Sequence, residues 1–299
     1  MRVITTIQEM VAERSSCASS QKVGFVPTMG YLHEGHLSLV REARKENEIL
    51  IASIFVNPTQ FGPHEDLASY PRDLPRDLQL LETFGVDTVF VPTPTEIYPP
   101  GFVTYVDPIG PLATEVEGAT RPKHFRGVAT IVLKLFQIIL PHQAYFGQKD
   151  AQQAAVISRM VADLNLPINL RILSTIREAD GLAMSSRNVY LNPEERAAAT
   201  VLFRALQAGR MVFDTYLKAH SLEGVSAVVK TMAETVLAEP RARLDYAEVR
   251  DPDSFIQLEI SHAPALLLIA AKVGPARLID NFLLRADGRW DVGIPVNDQ

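Results

Sequence analysis

The amino-acid sequence predicts an α/β protein in which a doubly wound parallel sheet is followed by a smaller α+β domain. In the first half of the chain, short apolar and β-branched runs alternate with longer helical patterns, as is typical of parallel strands covered by helices on both faces. From residue 193 the order changes to two helical stretches and then three strand-like runs. We therefore assign residues 1–180 to the domain with the parallel sheet and residues 181–299 to a C-terminal lid domain.

The parallel sheet is predicted from runs that are rich in apolar residues. These runs are 22–26, 49–56, 88–91, 143–146 and 168–173. Helical patterns, with apolar residues recurring on one face, occur at 37–43, 73–84, 127–140 and 151–164. In such sheets, ligands bind outside the carboxyl ends of the strands. We therefore expect the functional residues in the loops that follow the strands.

The C-terminal domain is predicted to begin with helices from Pro193 to about His220 and from about Leu222 to Ala238. Strands are predicted at 244–250, 266–273 and 276–283. A Gly-Pro pair within residues 272–277 predicts a turn between two antiparallel strands. We expect the last residues, 287–299, to be poorly packed.

The composition limits the classes of function. The chain has 299 residues, and its formal charge of −6 argues against a general nucleic-acid binder. One cysteine, Cys17, excludes an intramolecular disulfide and fits a reducing compartment. The N-terminus lacks a secretory apolar core, and no run of about 18 apolar residues predicts a membrane span. We expect a cytoplasmic protein without nucleic-acid or membrane partners.

The stretch Pro-Thr-Met-Gly-Tyr-Leu-His-Glu-Gly-His at residues 27–36 joins a predicted strand to a predicted helix. A helix start exposes unpaired N–H groups and a partial positive charge, which together favour a phosphate. His33 and His36 add imidazoles that can donate to phosphate oxygens. Three other interpretations stay open: the glycines serve only the turn, the histidines bind a metal, or the histidines are solvated surface residues.

Two further loops carry groups that suit phosphate. Lys149 lies where a strand gives way to a helix, and Ser185-Ser186-Arg187 combines two hydroxyls with a guanidinium fork. A solvated lysine and an ordinary serine cap are the alternatives. No Walker or Gly-x-Gly-x-x-Gly pattern follows a strand, so a P-loop NTPase and a Rossmann dehydrogenase are disfavoured.

Carboxylates and amides complete the candidate set. Asp77 and Glu117 are candidate magnesium ligands, because Mg²⁺ prefers a few carboxylates together with substrate phosphates. The amides of Gln60 and Gln153 could recognise a small polar substrate, and solvent contact is the alternative for each. Together these groups predict a pocket that binds a nucleoside triphosphate and stabilises the charge of phosphoryl or nucleotidyl transfer.

Five motifs, in this order, resemble the pantothenate synthetase (pantoate–β-alanine ligase) family. The His-x-Gly-His element alone would indicate only the wider nucleotidylyltransferase superfamily, but the likeness spans roughly residues 5–284. The matching motifs are Pro-Thr-Met-Gly-x-Leu-His-Glu-Gly-His at 27–36, Phe-Val-Asn-Pro-Thr-Gln-Phe at 55–61, Arg-Pro-x-His-Phe-Arg-Gly-Val at 121–128, Phe-Gly-Gln-Lys-Asp at 146–150 and Arg-Glu-Ala-Asp-Gly-Leu-Ala-Met-Ser-Ser-Arg-Asn at 177–188.

The resemblance implies a Rossmann-like nucleotide- and pantoate-binding domain and a two-step ligase. Pantoate and ATP would give pantoyl adenylate and pyrophosphate, and β-alanine would then displace AMP to form pantothenate. The resemblance also implies a homodimer and Mg²⁺ that accompanies ATP, with Asp77 as the metal contact.

The resemblance assigns roles residue by residue. The catalytic residues would be His36, His33, Lys149 and Arg187. Pantoate would be held by Gln60 and Gln153 with Thr28 and Met29, and Gln60 would also border the β-alanine site. ATP would be contacted by Met29, Gly30, Tyr31, Leu32, His33, Glu34, Gly35, His36, Gly147, Gln148, Lys149, Asp150, Ile176, Met184, Ser185, Ser186 and Arg187.

Three positions depart from the family pattern. Lys123 stands where glycine is usual, Ala151 stands where an aromatic residue is usual, and Arg76 stands where some members have an acidic residue. The phosphate-binding set is intact. Two alternative functions remain: an adenylyltransferase without an amine acceptor, and a non-catalytic nucleotide-binding protein.

Overall fold

Six parallel strands form one sheet of the protein, and four antiparallel strands form another. The computed structural model describes residues 1–63, 65–219 and 224–296. Contacts divide the chain into a first unit, Met1–Gly147 with Val156–Leu173, and a second unit, Gln148–Ala155 with Ser174–Gln299. The boundary that the sequence predicts between residues 180 and 181 stays a prediction.

The elements of the described residues follow one another along the chain in the predicted alternation. The strands are β1 (Arg2–Ile4), β2 (Val23–Thr28), β3 (Ile49–Ile54), β4 (Thr88–Phe90), β5 (Gln143–Gly147), β6 (Asn169–Leu173), β7 (Ile176–Arg177), β8 (Ala242–Arg250), β9 (Ala265–Val273), β10 (Ala276–Leu284), β11 (Trp290–Asp291) and β12 (Ile294–Pro295). The α-helices are α1 (Ile7–Ser16), α2 (Glu34–Glu46), α3 (Leu74–Thr83), α4 (Pro94–Ile97), α5 (Pro111–Thr114), α6 (Glu117–Thr120), α7 (His124–Ile139), α8 (Ala151–Asp163), α9 (Pro193–Ala199), α10 (Val201–Ala219) and α11 (Gly224–Leu237). Short 3₁₀ helices span Pro58–Gln60, Gln148–Asp150 and Ser186–Tyr190.

The parallel sheet of the first unit has the strand order β1-β4-β3-β2-β5-β6. From β2, the strands β3 and β4 follow in chain order towards one edge of the sheet, and β5 and β6 follow in chain order towards the other edge. The order therefore reverses between β2 and β5, which is where open α/β sheets bind ligands. The predicted doubly wound sheet is confirmed, and the loop after β2 lies at its switch point.

The central strands are apolar because they are covered on both faces. Five of the six residues of β2 are buried, as are four of the six residues of β3. Gly24 within β2 lets the side chain of Asn47 pack over the strand, since a Cβ at residue 24 would lie 2.6 Å from Asn47 Nδ2. That amide donates to Ala43 O and to the hydroxyl of Tyr145, and so joins α2 to β5.

The antiparallel sheet of the second unit has the order β11-β10-β9-β8. β9 and β10 are joined by a tight turn at Gly274, whose φ of 53° is in the left-handed region that glycine tolerates. This confirms the predicted turn within 272–277. Apolar side chains of α10 and α11 pack on the sheet in one core, and the predicted smaller α+β domain is confirmed.

Several elements differ from the sequence prediction. β1 and α1 were not predicted, because β1 has three residues of which one is buried, and Met10 is the one fully buried residue of α1. In the expected poorly packed C-terminus, none of the described residues 287–296 is buried, although β11 and β12 pair with β10 and β7. The predicted helix ends near His220 and Leu222, and the final residues 297–299, lie outside the described residues. No helix in the described ranges has the length and apolar character that a membrane crossing requires.

A buried ion pair organises the second unit. Arg177 on β7 donates to both carboxylate oxygens of Asp280 on β10, at 2.6 and 2.9 Å, and the two side chains are 3% and 2% exposed. The same guanidinium donates to the carbonyls of Gly181 and Val292 and stacks on Phe203. Arg177 thereby ties β7, its following turn and the C-terminal segment to β10.

Replacing Arg177 with methionine should lower the free energy of unfolding of the second unit by about 3–5 kcal/mol, because Asp280 would keep a buried, unpaired charge. Urea unfolding followed by fluorescence reports this unit, since Trp290 is the sole tryptophan and packs on Phe213. The control is Lys230→Met, which removes an exposed ion pair with Glu234 and should change stability by less than about 1 kcal/mol. Equal losses in the two variants would contradict the prediction.

Candidate active site

The predicted site residues are divided between the two units. The first unit holds the loop after β2, the 3₁₀ helix that contains Gln60, and Asp77 on α3. The second unit holds Lys149, Gln153 and the segment 176–187.

The turn after β2 has a left-handed backbone that a buried carboxylate holds in place. Gly30 and Tyr31 have φ values of 80° and 51°. The N–H groups of Tyr31 and Leu32 donate to Asp77 Oδ2 and Oδ1 at 2.6 and 2.8 Å, and Gly30 N–H donates to Thr28 Oγ1 at 3.2 Å. Burial raises the pKa of the Asp77 carboxyl, and the two backbone donors offset part of that rise. The loop therefore has its backbone groups paired before any ligand binds.

The two histidines cap helix α2 reciprocally. His33 is the N-cap residue, and its Nδ1 accepts from Gly35 N–H at 3.1 Å. His36 Nδ1 accepts from His33 N–H at 3.3 Å. An Nδ1 that accepts carries no proton, so the neutral imidazoles hold their proton on Nε2. The caps therefore determine which nitrogen of each ring can donate.

This arrangement bears on each of the interpretations that the sequence left open. The histidines do have a structural part, because they satisfy N–H groups that a helix start leaves unpaired. They are not solvated surface residues, since both rings are partly buried and packed together with centroids 4.1 Å apart. Capping also uses the Nδ1 atoms, which removes one nitrogen of each ring from metal binding.

The amide of Gln60 has a defined orientation. Asn57 Nδ2 donates to Gly127 O at 3.2 Å and to Gln60 Oε1 at 3.0 Å, while Asn57 Oδ1 accepts from the Tyr98 hydroxyl at 2.8 Å. Because a backbone carbonyl can only accept, Nδ2 must be the nitrogen, and the oxygen of Gln60 must face it. Gln60 Nε2 then lies beside Met29 Sδ, at 3.2 Å. The donor end of this amide is thus presented on the side of Met29, where it suits a carboxylate or hydroxyl oxygen.

A buried histidine, His124, contacts the backbone carbonyl of Gln60. His124 Nδ1 lies 2.8 Å from Gln60 O, and His124 Nε2 lies 3.0 Å from Arg121 Nη1. Arg121 is paired through two bonds with Glu65, at 2.9 and 2.7 Å. Burial, and then the charge of Arg121, lower the pKa of His124 to about 4. The imidazole is therefore neutral near pH 7, with Nδ1 donating to Gln60 and Nε2 accepting from Arg121.

In the second unit, the turn that carries Lys149 is anchored from β10. Asn281 Nδ2 donates to the carbonyls of Gln148 and Lys149, both at 2.9 Å, and Gln148 Nε2 donates back to Asn281 Oδ1 at 3.1 Å. Lys149 Nζ lies 3.8 Å from Asp150 Oδ1. Gln153 follows on the first turns of α8 and is partly buried.

The segment 176–187 is a tight hairpin. Met184 N–H donates to Ile176 O at 2.9 Å, and the turn closes at Gly181, whose φ is 93°. A Cβ at Gly181 would lie 2.2 Å from the ring of Phe203, so only glycine fits. Ser185 then caps the 3₁₀ helix Ser186–Tyr190 by accepting from Arg187 N–H at 3.2 Å. Ser185, Ser186 and Arg187, which the sequence predicts to contact phosphate, therefore lie together on one turn.

The structure also shows contacts to Gln60 and Lys149 from residues to which the sequence gave no role. Asn57 lies three residues from Gln60 in the same motif, which was the available signal. His124 lies in the separate motif at 121–128, and nothing in the sequence links it to Gln60, 64 residues away. Asn281 had no such signal, because it lies in an apolar strand far from Lys149 in sequence. Lys123 has a φ of 69°, which explains in physical terms why glycine suits this position.

The residues described do not offer a ready magnesium site. No group of three or more His, Cys, Asp or Glu side chains that could hold a metal occurs within 1–63, 65–219 and 224–296. Both oxygens of Asp77 accept backbone N–H groups, and Glu117 Oε2 lies 3.7 Å from Arg121 Nη1. Mg²⁺ needs open carboxylate oxygens at short distance, and both oxygens of Asp77 are already engaged. The assignment of Asp77 as a metal contact stays a prediction.

Comparisons with known proteins agree with this geometry. The family model described as Pantoate-beta-alanine ligase matches residues 2–283. The chain is 58% identical to the pantothenate synthetase of Roseiflexus sp. (strain RS-1), over 96% of this chain and 100% of that protein. It is similar to the crystal structure of pantothenate synthetase from Thermus thermophilus, with a TM-score of 0.87 and 48% identity over 94% and 98% of the two chains.

A further solved structure is a pantoate-beta-alanine ligase from Francisella tularensis, complexed with beta-gamma ATP and beta-alanine. It is similar to this chain with a TM-score of 0.76 and 34% identity, covering 95% of this chain and 97% of that one.

The stability of the first unit should depend on pH through His124. Its pKa is about 6.5 when unfolded and about 4 when folded, so the unfolded chain takes up the proton first as the pH falls. The stabilisation is complete above about pH 6.5, and about 2 kcal/mol should be lost between pH 7 and pH 5. Urea unfolding monitored by circular dichroism should show a smaller loss for His124→Asn, which cannot titrate. The exposed His262→Asn variant is the control, and an undiminished loss in His124→Asn would refute the assignment.

Proposed function

The chain belongs to the pantoate-beta-alanine ligase family, and from this premise we propose that it condenses pantoate with β-alanine to pantothenate at the expense of ATP. The observation that carries this function is the family match over nearly the whole chain, including the three loops that suit phosphate. The enzyme is therefore a carbon–nitrogen ligase that forms AMP.

The reaction has two steps that balance. A carboxylate oxygen of pantoate attacks the α-phosphorus of ATP, and the bond to the pyrophosphate oxygen breaks. The amine of β-alanine then attacks the acyl carbon of pantoyl adenylate, the bond to the AMP oxygen breaks, and the amine loses a proton. The first step transfers charge to pyrophosphate, so groups that stabilise that charge accelerate it.

We assign this stabilisation to the start of α2. His33 and His36 hold their proton on Nε2 because their Nδ1 atoms cap the helix, so each can donate to a phosphate oxygen. We propose that His36 is the principal donor and that His33 assists it. The segment Met29–His36 would cradle the triphosphate at a helix N-terminus, which favours anions.

We propose that pantoate binds beside Gln60. The donor end of its amide lies at Met29 Sδ, and Thr28 belongs to the same strand end. This donor matches a carboxylate or a hydroxyl oxygen of the acid. Gln153 would be a second amide for pantoate, and Gln60 would also border the site of the amine.

Further contacts to the nucleotide would come from residues in 147–150 and 176–187. Lys149 would neutralise phosphate charge, with Gly147, Gln148 and Asp150 beside it, and Ile176 would contact adenine or ribose through its backbone. Ser185, Ser186 and Arg187, with Met184, would form a second phosphate loop that supplies hydroxyl and guanidinium donors.

The remaining proposals concern the surroundings of the reaction. Mg²⁺ would enter with ATP as its counterion, and we assign no protein ligand to it. We propose that the enzyme is a homodimer that works in the cytoplasm, which fits a chain with a single, free cysteine.

Pyrophosphate release from ATP and pantoate, with and without β-alanine, tests the function. Sustained release should require both substrates, with AMP and pantothenate as the other products. Full turnover with pantoate alone would show an adenylyltransferase or hydrolase instead. No release with both substrates would leave a nucleotide-binding protein, or a different acid as substrate.

Replacing His36 with alanine should lower the rate of adenylate formation by about 10²-fold or more, because a donor to the developing charge is lost. Rapid-quench measurement of pyrophosphate in one turnover isolates this step. The exposed His262→Ala variant is the control and should keep the wild-type rate. A folded His36→Ala protein that forms adenylate at the wild-type rate would exclude the proposed role.

Replacing Gln153 with alanine should raise the KM for pantoate and leave the KM for ATP nearly unchanged, because one amide contact to the acid is lost. Initial rates at varied pantoate and saturating ATP measure this. Gln21→Ala, remote from the motifs, is the control. An unaltered dependence on pantoate would remove Gln153 from the binding site.

A further inference from the structure

The first turn of α3 is built against the loop after β2. Asp73 caps this helix by accepting from Arg76 N–H at 3.2 Å. Asp77 accepts from Tyr31 N–H and Leu32 N–H, and Arg76 Nη1 donates to Leu32 O at 2.9 Å. Both peptide groups of Leu32 are therefore held by adjacent residues of one helix.

The conformation of the loop needs such a restraint. Gly30 and Tyr31 both have positive φ values, and for tyrosine the left-handed region costs roughly 1–2 kcal/mol. Successive N–H groups of a turn can point into one concave nest that suits an anion, and here the N–H groups of Tyr31 and Leu32 both point at Asp77. The Asp77 carboxylate fills this nest, since a Cβ on Gly30 would already lie 3.0 Å from Asp77 Oδ2. The strained backbone and the carboxylate thus fit each other.

The same contacts make Asp77 a poor metal ligand. The residue is 1% exposed, both of its oxygens accept N–H groups, and the Arg76 guanidinium lies 3.7 Å from Oδ1. A cation already balances the charge of this carboxylate. Mg²⁺ would need near-octahedral ligands at about 2.0–2.1 Å and would keep several waters, for which a filled nest has no place.

We propose that Asp77, with Arg76, is a positioning residue that fixes the loop leading into the catalytic helix, rather than a ligand of magnesium. Leu32 is followed directly by His33, the N-cap of α2. The clamp on residues 31–32 therefore sets the position of the backbone that carries both imidazoles. The role of this clamp in catalysis rests on the proposed function. The clamp itself does not, because it concerns backbone groups of the unliganded protein.

The first test measures the backbone without substrate or metal. In Asp77→Asn, one acceptor oxygen becomes an amide NH₂ group that cannot accept, so amide hydrogen exchange at residues 31 and 32 should be about tenfold faster or more than in the wild type. Glu82→Gln, a change at an exposed position of the same helix, is the matched control and should leave the exchange unaltered. Wild-type exchange in Asp77→Asn would overturn the clamp, whatever the enzyme catalyses.

The second test separates positioning from metal binding. At saturating ATP, pantoate and β-alanine, Asp77→Asn should lower kcat of pyrophosphate release by about 10- to 100-fold, because the donors are misplaced. The Mg²⁺ concentration at half-maximal rate should change by less than about twofold. Arg76→Met, which removes the bond to Leu32 O, should lower kcat in the same direction and keeps the protein testable if Asp77→Asn does not fold. A tenfold higher Mg²⁺ midpoint in Asp77→Asn, with kcat restored by excess Mg²⁺, would overturn the proposal.

Discussion

The structure around the switch point depends on satisfying the backbone N–H groups between β2 and α2. This turn exposes successive donors, first because its residues are left-handed and then because a helix begins. Asp77 accepts from Tyr31 and Leu32, while His33 and His36 accept from the groups that follow. The loop is therefore stable without a ligand, and its pairing decides the tautomer of both imidazoles. The capping by the histidines and the donor role that we propose for them both follow from one hydrogen-bond pattern.

In the second unit, a buried guanidinium pairs backbone carbonyl groups, much as Asp77 pairs backbone N–H groups in the first. Arg177 is paired with Asp280 and also donates to carbonyls of the hairpin turn and of the C-terminal segment. A buried charge is tolerated when its hydrogen bonds are satisfied, and here they tie three distant segments together. Ser185 and Arg187 follow on this anchored hairpin. In both units, groups that suit a phosphate stand on backbone held by a buried charged side chain.

The recognition of pantoate that we propose depends on a series of hydrogen bonds in which each donor and acceptor is fixed. Gly127 O fixes the amide of Asn57, Asn57 fixes that of Gln60, and His124 holds the backbone of Gln60. Because each of these groups can act only as donor or only as acceptor in its bond, the amide of Gln60 is oriented before a ligand binds. A preorganised donor of this kind lowers the cost of ordering on binding.

The sequence by itself determined the alternation of strands and helices, the smaller α+β domain and the loops with phosphate-binding chemistry, because these depend on local patterns and on motifs of a few residues. The reciprocal capping by His33 and His36 is local in the same sense, since the two residues are three apart. Only the tertiary structure assigned partners to Asp77, which lies 45 residues from Leu32, and to Asn281, which lies 132 residues from Lys149. The residues next to a carboxylate or an amide in the sequence do not reveal which distant group it will contact. Its role appears only when strands and helices bring the two segments together.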